Sequence, residues 1–383
     1  MVDSDPNADA VAKGLEGVTV DETRLSSIDG DAGELLIGGF PLEELAPNAT
    51  VPETVFLLWN DRLPTESELA AFREDLAAHR RLPEPASEVV RAAGDRGVPA
   101  MDAVRMGVAA ASLDTDADLD AEAAARHVVS RLPTIVATYW RSREGQDVLD
   151  PHEDLSHAGN YLYMLTGEEP TDAAVRGLRT YLNTVADHGL NASTFTARTI
   201  VSTESDLFSA ITGAVGALKG PLHGGAPGPV LEMLLEAHES GDPEAAARER
   251  LDSGERLMGF GHRVYNVRDP RAAVLSSAAA QFYDAGGNEA FFEDAKTFER
   301  VGTEALEAHK PDASIHTNVE FYTAVLLYGI GIPRELFTAT FAVSRVGGWS
   351  AHCLEQLDDN RLVRPRARYV GETDRTWTPI EER

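Results

Sequence analysis

The chain has 383 residues, 43% of them hydrophobic, so it can bury a sizeable core and two domains are expected. Its net charge is −29, with 63 acidic residues against 30 arginines and four lysines (Lys13, Lys219, Lys296, Lys310). An acidic surface repels phosphate backbones, which argues against nucleic acid as a partner.

High net charge is also a mark of disorder, but apolar residues recur here at helical spacing throughout. The composition instead reads as a folded protein adapted to high salt, where ions screen the repulsion among acids. No run of 18 apolar residues occurs and the N-terminus is acidic without an apolar signal core. The expectation is a cytoplasmic protein with no membrane contact. Cys353 is the only cysteine, so there is neither an internal disulfide nor a cysteine metal site. With Trp349 and Leu357 it falls on one apolar helical face and reads as a packed residue.

Residues 1–13 are polar and expected to fray. Gly17–Glu22 and Gly33–Gly39 are rich in β formers and flank turn residues such as Asp29 and Gly30, predicting a short hairpin region. After that the chain reads as helical. Thr50 with Glu53, and Thr65 with Glu68, form capping-box patterns; Leu69, Phe72 and Leu76 then share a face. Thr171 is expected to cap the helix carrying Val175, Leu178, Leu182 and Val185. Ser205 is expected to cap the helix running to Lys219, with Asp206 in its first turn. Further helices are predicted near 229–240, 272–285, 288–309, 318–329 and 334–358. No βαβ rhythm and no repeat is visible, so the fold class is mainly α with a short N-terminal β hairpin.

Three segments carry candidate chemistry. Glycine and proline in Gly220-Pro-Leu-His223-Gly-Gly-Ala end a helix and put His223 in a turn. In Gly259-Phe-Gly-His262, a histidine follows two glycines, with Asp269-Pro270-Arg271 behind it. Two histidines in glycine-bounded turns, with an anchored arginine, suit acid–base chemistry on an anion, because the guanidinium fork bonds both carboxylate oxygens. The bland readings are an ordinary turn histidine and a structural Arg271–Asp ion pair. Asp114, Asp116, Asp118 and Asp120 suggest a calcium loop, but Leu119 and Ala125 stand where glycine and glutamate are needed. That stretch reads as a solvated acidic loop, and no metal is expected.

Together the His223 and His262 segments strongly resemble the citrate synthase family. The resemblance runs from Gly14-Leu-Glu-Gly17 to Arg364-Pro-Arg-Ala-Arg368. It implies a citrate synthase-like fold: a large helical domain from residues 1–223 and 330–383, and a smaller inserted one from 224–329. It implies condensation of acetyl-CoA with oxaloacetate and hydrolysis of citryl-CoA, in a homodimer, with the acyl-CoA as substrate and no cofactor. Asp187-His188-Gly-Leu-Asn191 resembles the segment where a histidine and an asparagine approach oxaloacetate; otherwise His188 merely ends a helix. Thr317-Asn318-Val-Glu320-Phe-Tyr matches the segment of the catalytic base, usually aspartate, and Asp312 is a weaker candidate upstream. Acidic charge at a helix start is also favoured structurally and favours the ionised form. Arg345 and Arg364 match two further substrate arginines, the second contributed across the dimer. Glu320 departs from the family pattern, as does Ala226-Pro227-Gly228, where many relatives have Ala-Asn. Two alternatives stay open: a 2-methylcitrate synthase using propionyl-CoA, and a non-catalytic paralogue that binds coenzyme A or a dicarboxylate.

Overall fold

The computed structural model describes residues 11–113, 119–224, 227–262, 264–309 and 315–383. Asp312, Arg263, Ala226 and residues 114–118 of the acidic loop lie outside them.

Three short antiparallel strands, β1 (Ser26–Asp29), β2 (Glu34–Ile37) and β3 (Phe40–Pro41), form the only sheet among the described residues. The strand expected at Gly17–Glu22 is not one. That segment is exposed along its length, and Val18 and Val20 are 44% and 43% exposed. It has β formers but no neighbouring strand to accept its hydrogen bonds, and the hairpin begins at Ser26 instead.

The rest is helical: α1 (Leu42–Asn48), α2 (Val51–Asn60), α3 (Glu66–Ala78), α4 (Glu84–Asp95), α5 (Ala100–Ala110), α6 (Ala121–Arg143), α7 (His157–Thr166), α8 (Asp172–Thr184), α9 (Ala192–Val201), α10 (Leu207–Leu218), α11 (Pro227–Ser240), α12 (Pro243–Asp252), α13 (Pro270–Asp284), α14 (Glu289–His309), α15 (Val319–Gly329) and α16 (Phe337–Asp358). Both capping boxes are present, closing α2 and α3 through reciprocal Thr–Glu bonds. Thr171 caps α8 as its position suggests. The cap of α10 is Asp206 and not Ser205, one residue later than expected, because the Asp206 carboxylate accepts the Ser209 N–H at 2.9 Å.

One apolar cluster runs from α2 to α16, and the long helices α6 and α16 pack against each other within it. Cys353 is fully buried there, as is Trp349. A smaller cluster seats the hairpin: Leu25, Leu35 and Ile37 pack with Leu42 and Leu45 of α1, Ala186, Val274 of α13 and Ala351 of α16. Burying each such side chain stabilises by about 1.5–3 kcal/mol, so the hairpin is firmly held although its strands are short.

Candidate active site

Asp187, His188 and Asn191 form the link between α8 and α9. Asp187 is fully buried. Its carboxylate accepts Ser26 Oγ at 2.5 Å, the Gly189 N–H at 3.3 Å and His352 Nε2 of α16 at 3.1 Å. Burial pushes Asp187 up, but His352, Arg345 and Ser26 outweigh it and hold it below the usual value. The other ring nitrogen of His352 faces Arg198 at 3.2 Å, and Arg198 pairs with Glu355 at 2.7 Å and Asp21 at 2.6 Å. A buried polar chain therefore fixes the backbone beside His188. Glycine at 348 is required for this approach, since a Cβ there would overlap the Ala186 carbonyl. The His188 ring then reaches Tyr265, with Nε2 at 3.1 Å from the phenol oxygen.

Asn191 is the N-cap of α9. Its Oδ1 accepts the N–H groups of Ser193 and Thr194 at 3.2 and 3.1 Å, and the Ser193 hydroxyl at 2.7 Å. Expected as a substrate contact, its carbonyl oxygen is committed here to the cap. The capped turn aims Ser193 at His223. The Ser193 N–H donates to His223 Nε2 at 3.3 Å, and Ser193 Oγ lies 2.8 Å from the same nitrogen. Trp349 Nε1–H steadies that hydroxyl at 3.0 Å. The one Ser193 hydroxyl proton serves either Asn191 or His223; turned to Nε2 it joins the backbone N–H there and leaves the His223 proton on Nδ1. His223 itself stands in the turn after α10, with its N–H bonded to the Gly220 carbonyl at 2.9 Å.

His262 is fixed by the same kind of argument. Its Nδ1 accepts the N–H groups of Val264 and Tyr265 at 3.1 and 3.2 Å, so Nε2 carries the proton. That Nε2 lies 3.2 Å from Nη2 of Arg271. Two donors face one another, an arrangement an anionic or carbonyl oxygen between them would satisfy. Gly259 and Gly261 adopt φ of 85° and 80°, the left-handed region glycine tolerates. Those turns let Phe260 form a bridge to Thr317, with Asn318 N–H on the Gly259 carbonyl at 2.9 Å and Asn318 Nδ2 on the Gly261 carbonyl at 2.8 Å. The bridge ties the His262 segment to the start of α15, where Asn318 caps the helix and accepts the Glu320 N–H at 3.0 Å.

Arg271 pairs with Asp269 through two bonds of 3.0 and 2.8 Å, and the pair is 4% and 1% exposed. Asp269 also caps α13 and accepts the Val319 N–H at 3.1 Å, joining the starts of α13 and α15. The structural ion pair and the contact with His262 are thus both present. Arg345 on α16 is 1% exposed. Its Nε bonds the Val185 carbonyl at 2.7 Å and its plane covers Phe341 at 4.5 Å, while Nη2 has no partner among the described residues. An unpartnered buried guanidinium nitrogen is costly unless a ligand takes it.

The electrostatics follow from burial. His223 is pushed down to about 4 by burial, with Arg345 adding to it. Burial and then Arg271 hold His262 below its usual value and His188 well below it. All three imidazoles are neutral near pH 7, so each offers one N–H and one bare nitrogen and carries no charge. Glu320 is half-buried and pushed up to about 7 by burial and by Asp269, against the pull of Arg271 and Arg345. The helix-start argument for an ionised Glu320 is therefore corrected: desolvation outweighs the dipole. Arg364 is not brought to the others. It lies exposed in the extended segment after α16. The parts that Tyr265, Ser193 and Trp349 play here were not read from the sequence, because only the folded chain brings their partners together.

The family model for the citrate synthase C-terminal domain matches residues 14–366. A citrate synthase of Haloferax volcanii is 45% identical over 97% of this chain and 98% of its own length. A 2-methylcitrate synthase of Mycobacterium tuberculosis is 36% identical over 95% of this chain and 92% of its own. The solved citrate synthase of Thermoplasma acidophilum, described as a ternary complex with carboxymethyl coenzyme A and oxaloacetate, superposes with a TM-score of 0.87. It is 32% identical and covers 98% of this chain and all of its own. Fold, site geometry and similarity agree, and the chain belongs to the citrate synthase family.

Proposed function

We propose that the protein condenses acetyl-CoA with oxaloacetate and hydrolyses the resulting citryl-CoA to citrate and coenzyme A. The observation that carries this reading is the pair of buried arginines, Arg271 and Arg345, beside neutral histidines and one carboxylate poised near pH 7. Ionised Glu320 takes a methyl proton from the thioester. His223 donates its Nδ1–H to the thioester oxygen as the enolate forms, and His262 donates Nε2–H to the oxaloacetate carbonyl under attack. Both bonds strengthen as charge develops on oxygen. Arg271 and Arg345 hold the substrate carboxylates, His188 adds a donor, and Asn191 shapes the His223 side through Ser193. Coenzyme A enters and leaves as part of the substrates.

Arg364 completes the site from the partner subunit of a homodimer. In support, the extended segment that carries it exposes Leu362, Tyr369, Val370, Trp377 and Ile380 by 56–87%, a run of apolar surface that a second copy would cover. Residues 224–329 act as the smaller body closing on the cleft. The protein works in the cytoplasm, and the charge of −29 suits a saline one.

The greater identity to a citrate synthase favours acetyl-CoA over propionyl-CoA, although one methylene is worth only about 1–3 kcal/mol in a pocket. A coupled thiol-release assay with oxaloacetate and either acyl-CoA, in molar KCl, tests the reading. Faster turnover with acetyl-CoA supports it. Preference for propionyl-CoA makes the protein a 2-methylcitrate synthase, and no thiol release with either makes it a binding paralogue.

A further inference from the structure

His188 and His262 sit on different parts of the chain, yet one small element touches the supports of both. At the root of the hairpin, Ser26 Oγ donates to Asp187 at 2.5 Å and accepts the Gly189 N–H at 2.8 Å, so it brackets His188 on both sides. At the tip, the Asp29 carboxylate accepts the N–H groups of Asp31 and Ala32 at 3.0 and 2.8 Å, and the Asp29 carbonyl accepts Gly33 N–H at 2.9 Å. The tip is therefore folded by its own bonds. It meets the loop that follows His262: the Gly30 carbonyl accepts Asn266 N–H at 2.9 Å and Asp31 Oδ1 accepts Asn266 Nδ2 at 2.6 Å. The fit is tight. A Cβ on Gly30 would overlap the Val264 carbonyl, and one on Gly33 would crowd Val267.

That loop presents the two N–H groups, from Val264 and Tyr265, that fix the His262 ring. It has little apolar anchorage of its own beyond Tyr265, which is 3% exposed, while Val264 is 44% exposed. The hairpin supplies the missing support. We infer that the β1–β2 hairpin is a positioning element of the active site, and that its Asp31–Asn266 clasp sets the turn that orients His262. This rests on the proposed role of His262. The clasp is exposed, and an exposed amide–carboxylate bond adds little to global stability. Geometry and stability are accordingly separable by experiment.

Three variants in molar KCl test the clasp. Asn266→Asp sets one carboxylate against another; Asp31→Asn with Asn266→Asp exchanges donor and acceptor and rebuilds the bond; Asn266→Ala removes it without repulsion. Misplacing a reacting group by about 1 Å costs up to about 10²-fold. Asn266→Asp is expected to lower kcat/KM for oxaloacetate at least about tenfold with an unchanged thermal midpoint, and the exchanged pair to recover to within about threefold. A merely structural defect would show as a lowered midpoint that the exchange restores together with activity. If Asn266→Asp also lowers the midpoint, Asn266→Ala carries the test, with a smaller loss of the same sign. The clasp is refuted if both single variants stay within about twofold of wild type, or if the exchanged pair remains as slow as Asn266→Asp. An inactive wild type would overturn the proposed function instead, so the two readings fail on different results.

Discussion

Glu320 carries two opposed demands. Burial raises it to about 7, which suits a base working near neutral pH but strains the fold once it ionises. The sign is clear. A carboxyl with a raised folded pKa favours the native state while protonated, and that contribution is lost as pH rises through about 7. Glu320→Gln should therefore abolish exchange of acetyl-CoA methyl protons with solvent. At pH 8 it should also stabilise the protein by about 1–3 kcal/mol, read as a raised thermal midpoint. Exchange at the wild-type rate would place the base elsewhere, with Asp312 next to test. Glu320→Asp should keep measurable activity, and in the wild type kcat/KM should climb with pH through about 7. His262→Ala should fold normally and lose at least about 10²-fold in turnover. Near-normal turnover would remove the group from the chemistry.

At the level of elements, Asp269 is the clearest junction. It caps α13, pairs with Arg271 and holds the first N–H of α15. Asp269→Ala should cost about 3–5 kcal/mol, the range for leaving a buried charge without its partner, and a midpoint shift of only a degree or two would contradict this. What the sequence made legible follows the same division between local and distant bonds. The capping boxes of α2 and α3 are readable because donor and acceptor lie three residues apart. The Gly17–Glu22 strand was misread because a strand needs a partner, and none of its residues advertises the lack of one. Ser205 and Asp206 both favour caps, and only the helix register chose between them. His223, His262 and Arg271 stand out through their glycine and proline settings. Tyr265 does not, although it touches His188, because 77 residues separate the two. Arg364 was expected from family resemblance alone, and nothing among the described residues of one chain brings it to the site.

For the molecule as a whole, charge and assembly dominate. With a net charge of −29, folding gathers many acids onto one surface, and at 1 M salt the Debye length falls to about 3 Å. The thermal midpoint should rise steeply with KCl, and the protein should unfold or dissociate below roughly molar salt. A midpoint independent of KCl would contradict this. The proposed sharing of the site makes a second demand. Arg364→Ala and His223→Ala subunits, each inactive alone, should regain activity when mixed and allowed to exchange, since one hybrid site then keeps both residues. Exchange without recovery would show that each chain is self-sufficient.

The position of Arg271 and Arg345 has one more consequence. Both pull down the proton affinity of Glu320, and both add to the depression of His188. A dianion lodged between them would cancel that pull. Its arrival should raise the proton affinity of Glu320 and draw protons from solution, so that the pH at which the base is ionised moves upward once the acceptor is bound. Calorimetry of oxaloacetate binding near pH 7, in buffers of unlike ionisation enthalpy, should register net proton uptake.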